Sequence, residues 1–199
     1  MASSTEVRPP RAADKILDTA WDLFYRIGIR AVGVDEIVKR AGVTKPSLYR
    51  SFPSKDELAA TYLRQYDADF WARFNNAAAA HPGDPRAQLR AFLEPIAERA
   101  RKTGSRGCGL TNAIVEYPEH DNPARQVAVS NKVELRRRLV EMAREMGAEE
   151  PEVLGDGLHL LLEGAYVTNQ MFQPGGPARH LVEAADRLIE ASLKTRGAG

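Results

Sequence analysis

The feature that most constrains this chain is the spacing of its apolar residues, which return every three or four positions in almost every long segment and nowhere alternate convincingly. Ile16, Leu17, Ala20, Leu23, Phe24 and Ile27 show the pattern best, and it predicts a helix over 11–27 with Gly28 placed to end it. A short helix is expected from about 34, with Asp35 and Glu36 at its positive end, stopping before Gly42. Gly33 stands where a Ser or Thr cap would be usual. Thr44 caps a third helix of about two turns that carries Pro46 in its first turn, where proline loses no needed hydrogen bond. Ser54 and Glu57 form a capping box opening a long fourth helix, about 55–79, which HPGDP at 81–85 closes. Further helices are expected over 85–102, with Pro95 inside as a kink, over LTNAIVEY at 110–117, and from Pro123 to just before Gly147. Two more follow over 151–172 and 177–195, separated by QPGGP. The expected fold class is therefore all-α, with about nine helices and no strand.

The 199 residues are 43% hydrophobic, enough for a core, and their formal net charge is only +1. The charge is unevenly placed: residues 1–65 hold 11 Lys and Arg against 8 Asp and Glu, and the remainder is slightly acidic. A single cysteine, Cys108, excludes an internal disulfide framework and a Cys-rich zinc site, which fits a reducing compartment, and a cytoplasmic location is expected. No apolar run reaches the length of a membrane span, and MASSTEVRPPR lacks the apolar core of a signal peptide, so no membrane partner is expected.

A short helix, a Gly turn and a second short helix, with Ile37 and Leu48 set to bury their inner faces, is the arrangement of a helix-turn-helix reader of DNA. From Ile37 to Lys55 there are five basic residues and no acidic one, a stretch that attracts a polyanion. Thr44, Lys45, Pro46, Ser47 and Arg50 fall at the start and outer side of the second helix, within reach of base edges or phosphates, while Leu48 and Phe52 face inward. Tyr49 offers its hydroxyl to a phosphate, and Lys55 sits in the first turn of the next helix, whose free N–H groups also favour one. Arg8 and Arg11 in the N-terminal arm are weaker candidates for phosphate or minor-groove contacts. Any amphipathic helix pair can show such a pattern. The run ILDTAWDLFYRIGIRAVGVDEIVKRAGVTKPSLYRSFPSKDEL, residues 16–58, adds specific wording: an AGV turn, an LYxxF core and an SKxEL entry to the fourth helix.

Those motifs closely resemble the N-terminal domain of TetR-family transcriptional regulators, over about a quarter of the chain. The resemblance implies a helix-turn-helix domain at 1–53, joined through the fourth helix to an effector-binding and dimerisation domain at 54–199. It implies a homodimeric, ligand-responsive repressor, with a double-stranded DNA operator and a small-molecule effector as partners and no cofactor. Ser47, Tyr49, Arg50 and Lys55 fall on the family's DNA-contact positions, whereas Gly33 departs from the usual Thr.

The last two helices look like the family's dimer-forming pair. Leu158, Leu161, Leu162 and Ala165, with Leu181, Ala184, Ala185, Leu188 and Ile189, supply apolar stripes that serve either a dimer or an internal core. The fourth helix concentrates Tyr62, Tyr66, Phe70, Trp71 and Phe74, of which Trp71 and Phe74 are the expected pocket wall. RGCGLTNAIVEYP, 106–118, resembles a stretch of one subgroup of the family's effector domains; Cys108, Asn112 and Tyr117 are candidates to line a cavity, joined by Tyr166, Asn169 and Gln170. Cys108 reads equally as a small buried hydrophobe. His81, His120, His159 and His180 show no metal-ligand spacing, and no phosphate-cradling Gly loop is present, so neither a metal site nor catalysis is expected. Two alternatives stay open: a helical protein-interaction module, which leaves the acid-free basic run unexplained, and a Cys108-dependent enzyme, for which no orienting group is evident.

Overall fold

The computed structural model describes residues 11–102, 104–172 and 174–193. Among them run nine α-helices: α1 (Ala12–Ile27), α2 (Val34–Ala41), α3 (Lys45–Ser51), α4 (Lys55–Ala80), α5 (Pro85–Arg99), α6 (Gly109–Glu116), α7 (Pro123–Glu145), α8 (Pro151–Met171) and α9 (Leu181–Ser192). A 3₁₀ turn, Pro177–His180, precedes α9, and no β-strand occurs among the described residues. Arg8 and the far end of the expected last helix lie outside them. None of these helices is long and apolar enough to cross a membrane.

The caps fall where the sequence places them. Thr44 and Ser54 accept hydrogen bonds from the Ser47 and Glu57 amides, and Asn122 accepts from those of Ala124 and Arg125. Two ends differ from expectation. Helix α5 stops at Arg99 because the next amides, Arg101 and Lys102, bond three residues back to Glu98 and Arg99, tightening the last turn. Helix α9 begins only at Leu181, since the turn that Pro177 opens is closed by an i to i+3 bond from Arg179 to Gly176.

Two apolar cores stack along α4. The first joins Ile16, Leu23, Ile37, Leu48 and Leu58 to Leu63, and extends past residue 53 to Leu110, Ala113 and Ala128. The second joins Phe70, Phe92, Leu135, Leu139, Leu158 and Ile189. Ile27, read as part of the inner stripe of α1, is largely exposed at its C-terminus. Helix α7 packs along both α4 and α8, so the lower bundle is organised around it. A polar clamp adds to the second core where Arg86 and Arg90 of α5 reach Asp186 of α9, Arg86 also reaching Glu190.

The segment before α6 is the tightest backbone approach. Gly107 has a φ of +66°, and a Cβ there would run into the Tyr166 carbonyl oxygen of α8. Gly107→Ala should therefore cost about 1–3 kcal/mol, lowering the melting temperature by roughly 2–4 °C per kcal/mol in a chain of this size. A calorimetric scan checks this, and an unchanged melting temperature would show that the segment shifts freely.

Candidate functional site

The putting of α3 at the surface starts with the turn before it. Gly42 takes the left-handed conformation, φ +64°, and the Val43 amide reaches back to the Val38 carbonyl at 3.0 Å, closing α2 so that α3 crosses it. Ile37 and Leu48 are fully buried between the two helices. The opposite face of α3 is left open: Thr44, Lys45, Pro46, Tyr49 and Arg50 are exposed, Tyr49 by 49%, and Ser47 is half-buried. Arg50 Nη2 donates to Ser47 Oγ at 3.2 Å, and Thr44 Oγ1 donates to the same oxygen at 3.1 Å, so the three form one polar surface.

Two of the three lysines in the basic run, Lys45 and Lys55, are engaged. Lys45 Nζ pairs with Asp35 Oδ1 of α2 at 2.7 Å, and that hydrogen bond, followed by the Asp35 charge, raises its pKa. The acid-free run in the sequence thus meets an acid in space. Lys55 Nζ turns inward to the Arg30 carbonyl at 3.2 Å, and burial pushes its pKa down.

Lys55 stands at a polar recess between the head formed by α1–α3 and the α6–α7 connection, with Arg30, Asp56, Tyr117, Glu119 and Asp121. The Arg30 amide donates to Glu116 Oε2 at 2.9 Å, its guanidinium reaches the Glu116 carbonyl at 3.1 Å, and Tyr117 Oη donates to Asp56 Oδ1 at 3.2 Å. Burial, then the Asp56 charge, pushes the Tyr117 hydroxyl well above its ordinary value. Tyr117, expected beside an effector, is therefore part of the seam between head and body.

A cavity of about 350 Å³ lies between α4, α5 and α8. Phe70, Phe92, Pro95, Ile96 and Ala165 give it apolar walls; Tyr66, Arg73, Asn76, Arg99, Tyr166 and Asn169 bring polar groups, and Ser105 and Gly107 close one side. Of the residues expected from sequence, Tyr166 and Asn169 line it. Trp71 and Phe74 do not, for a reason of helical phase: Tyr66, Phe70, Arg73 and Ala77 share one face of α4, and Trp71 is turned about 100° away from Phe70. There it packs edge-on against Phe74 beneath the Arg138 guanidinium of α7, which lies 4.3 Å from its ring centroid. Phe74 is buried against Phe92 instead. Arg73, Arg99 and Asn76 escaped the sequence reading; the signal available was the 66–70–73–77 spacing, which places Arg73 in line with two aromatics.

Asn112 and Gln170 brace the cavity's wall. Asn112 Nδ2 donates to the Arg106 carbonyl at 2.8 Å, and Gln170 Nε2 donates to Asn112 Oδ1 at 3.2 Å. On its other side the same segment holds α1. Arg106 N–H donates to Tyr25 Oη at 3.3 Å, Tyr25 Oη donates to the Gly107 carbonyl at 3.4 Å, and Arg106 Nη1 donates to the Arg26 carbonyl at 2.9 Å.

Cys108 is buried, and its sulfur accepts a hydrogen bond from Lys132 Nζ at 3.5 Å. Lys132 also pairs with Glu163 Oε1 at 2.7 Å, and Thr111 Oγ1 donates to the other oxygen at 2.6 Å. Burial opposes the charge on Lys132, but Cys108 and Glu163 outweigh it and raise the pKa. Burial likewise opposes the charge on Glu163, yet His159, Lys132 and Thr111 draw its pKa down to about 2.

The chain is similar to known proteins along its length. Residues 16–62 match the family model described as bacterial regulatory proteins, tetR family. A TetR-family transcriptional regulator from Streptomyces coelicolor superposes with a TM-score of 0.87 at 29% identity, covering 94% of this chain and 92% of that one. The uncharacterized HTH-type transcriptional regulator YxaF of Bacillus subtilis is 28% identical over 88% of this chain and 94% of its own length. The HTH-type transcriptional regulator AcrR of Shigella flexneri is 30% identical over 49% of this chain, and the match spans only about half, 46%, of that relative. The fold and the open face of α3 thus define a helix-turn-helix, DNA-binding transcriptional regulator. Residues 16–62 match the TetR-family model, and over most of its length the chain is similar to TetR-family regulators.

Because the folded pKa of Glu163 lies below its ordinary 4.5, the stability it contributes is present above about 4.5 and is lost as the pH falls towards about 2. Glu163→Gln, which leaves Lys132 buried without its counter-charge, should cost about 3 kcal/mol at neutral pH and flatten that acid limb. Urea unfolding across the pH range checks both; an unaltered limb would place the acid sensitivity elsewhere.

Proposed function

We propose that this chain is a ligand-responsive repressor that binds a palindromic operator as a homodimer and is released from it by a small molecule held between α4, α5 and α8. The observation that carries the reading is that one short segment, 105–107, both closes the cavity and holds the C-terminal end of α1. A molecule pressing on Ser105 or Gly107 acts through the Arg106–Tyr25 bonds on the helix that supports α2 and α3. To switch the protein it must favour the displaced arrangement over the seated one. The work takes place in the cytoplasm.

On DNA, α3 lies in the major groove. Thr44, Pro46, Ser47, Tyr49 and Arg50 are presented directly, while Lys45 must leave Asp35 and Lys55 must leave the Arg30 carbonyl to reach a phosphate. Two such helices need to sit about 34 Å apart, which calls for a two-fold partner. The surface that fits is the outer face of α8 and α9. Leu160 is 74% exposed and Met171 66%, and Gly157, Leu161, Gly164, Ala184 and Leu188 flank an open apolar recess beside them. Of the stripes read in the sequence, Leu158, Leu162, Ala165, Leu181, Ala185 and Ile189 are already buried within the chain and serve the internal core. Leu161, Ala184 and Leu188 remain at this face.

Two experiments test the reading. The purified chain should bind one palindromic segment flanking its own coding region, and Tyr49→Ala/Arg50→Ala should bind it at least about tenfold more weakly with a shallower salt dependence. Equal affinity of the two proteins in a salt titration would remove α3 as the reading element. Leu160→Asp should convert a sedimenting dimer into a folded monomer, and a wild-type chain that sediments as a monomer at every concentration would rule out this interface.

A further inference from the structure

The polar groups of the cavity fix what kind of molecule it accepts, an inference that rests on the cavity's being the effector site. Arg73 of α4 and Arg99 of α5 both line it, and no Asp or Glu is among its described lining residues. Many of the described arginines are already satisfied: Arg26, Arg86, Arg90, Arg136 and Arg144, for example, each pair with a carboxylate. Neither Arg73 nor Arg99 forms an ion pair among the described residues. Both also border the adjoining recess, together with Trp21, Tyr25, Tyr66 and Asp69. Asp69 is the one acid among the described residues of that recess, so two guanidinium charges border a single carboxylate.

A second unpaired polar group lies on α8. Asn169 is 6% exposed, lines the cavity, and its Oδ1 is fully buried with no hydrogen-bond partner. An amide oxygen left so is unfavourable, and a donor on a bound molecule removes that cost. Phe70, Phe92, Ile96 and Ala165 line the same cavity and take an apolar body. A cavity of about 350 Å³ is at the small end of the roughly 300–1,000 Å³ typical of sites for small organic molecules.

We propose that the effector is a small apolar carboxylate whose acid group is gripped by Arg73 and Arg99 and whose body carries a hydrogen-bond donor for Asn169. Guanidinium forks match a carboxylate through paired N–H donors, which a neutral or cationic head group does not supply.

The test uses the full chain carrying Trp71→Phe, which leaves Trp21, stacked on Tyr66 at 5.8 Å between ring centroids, as the reporter. The probes are para-hydroxyphenylbutanoate, phenylbutanoate and para-hydroxyphenylbutanol, followed by Trp21 emission and by thermal shift. The hydroxylated acid should bind saturably and the alcohol at least about tenfold more weakly. Arg73→Gln/Arg99→Gln should remove that difference while leaving the alcohol's affinity and the unliganded melting temperature unchanged. Phenylbutanoate should bind a few-fold more weakly than the hydroxylated acid, a gap that closes in Asn169→Leu. An alcohol that binds as tightly as the acid, or an acid that fails to bind at millimolar concentration, overturns the anion assignment. Acid binding that survives the cavity-filling Ala91→Phe lies elsewhere and overturns it too. Release of operator DNA is read on the same samples: an acid that occupies the cavity without release contradicts the regulatory reading and leaves the ligand class standing.

Discussion

The constraint on which most of this structure depends is the confinement of residues 105–107 between α1 and α8. The segment has no regular hydrogen-bond ladder of its own: the Gly107 amide donates to Ser105 Oγ within it, and other polar groups are met from outside by Tyr25, by Asn112, which Gln170 holds, and by the Arg26 carbonyl that receives Arg106. Gly107 then allows it to lie directly on the α8 backbone. These requirements converge because a buried backbone group without a partner is costly, and a bulkier residue has no room. A wall that is braced on three sides is stiff, and in the proposed mechanism a stiff wall transmits a displacement where a loose one would absorb it.

Helix α4 supplies the second constraint. Its N-terminal half belongs to the first core and its C-terminal half to the second, so the head cannot be seated independently of the body. The polar seam of Arg30, Glu116, Tyr117 and Asp56 reinforces that coupling with directional bonds that hold one arrangement, unlike the apolar contacts around them. Charge plays a different part at each level. Most surface pairs, such as Arg40 with Glu36, are exposed and contribute little, whereas the partly buried Lys132–Glu163 pair is costly to break because either charge alone would be left in a poorly solvated place.

The helices were legible in the sequence because periodicity, caps and Gly or Pro breaks all agree along the chain, as at Thr44, Ser54 and Asn122. The outward face of α3 was legible for the same reason, since Leu48 fixes which side is buried. The cavity was less so. Aromatic richness drew attention to Trp71 and Phe74, but hydrophobicity alone does not say which side of an aromatic helix meets another helix and which meets empty space. That is decided by α5 and α7, which approach α4 from different directions. Lys132 and Glu163 are single charges within long helices, and only the packing of α7 on α8 reveals that they meet. The Lys45–Asp35 pair shows the same limit: a run without acids in sequence borders one in space.

In the proposed mechanism the state of the cavity is felt at the C-terminal end of α1. Amide hydrogen exchange at residues 25–30, compared between the wild-type chain and Ala91→Phe, in which a side chain fills the cavity, measures it directly. The account predicts faster exchange at those amides with the distant part of α9 unchanged. Identical exchange at 25–30 in two equally stable proteins would contradict it, and would mean that the 105–107 segment holds the head without informing it.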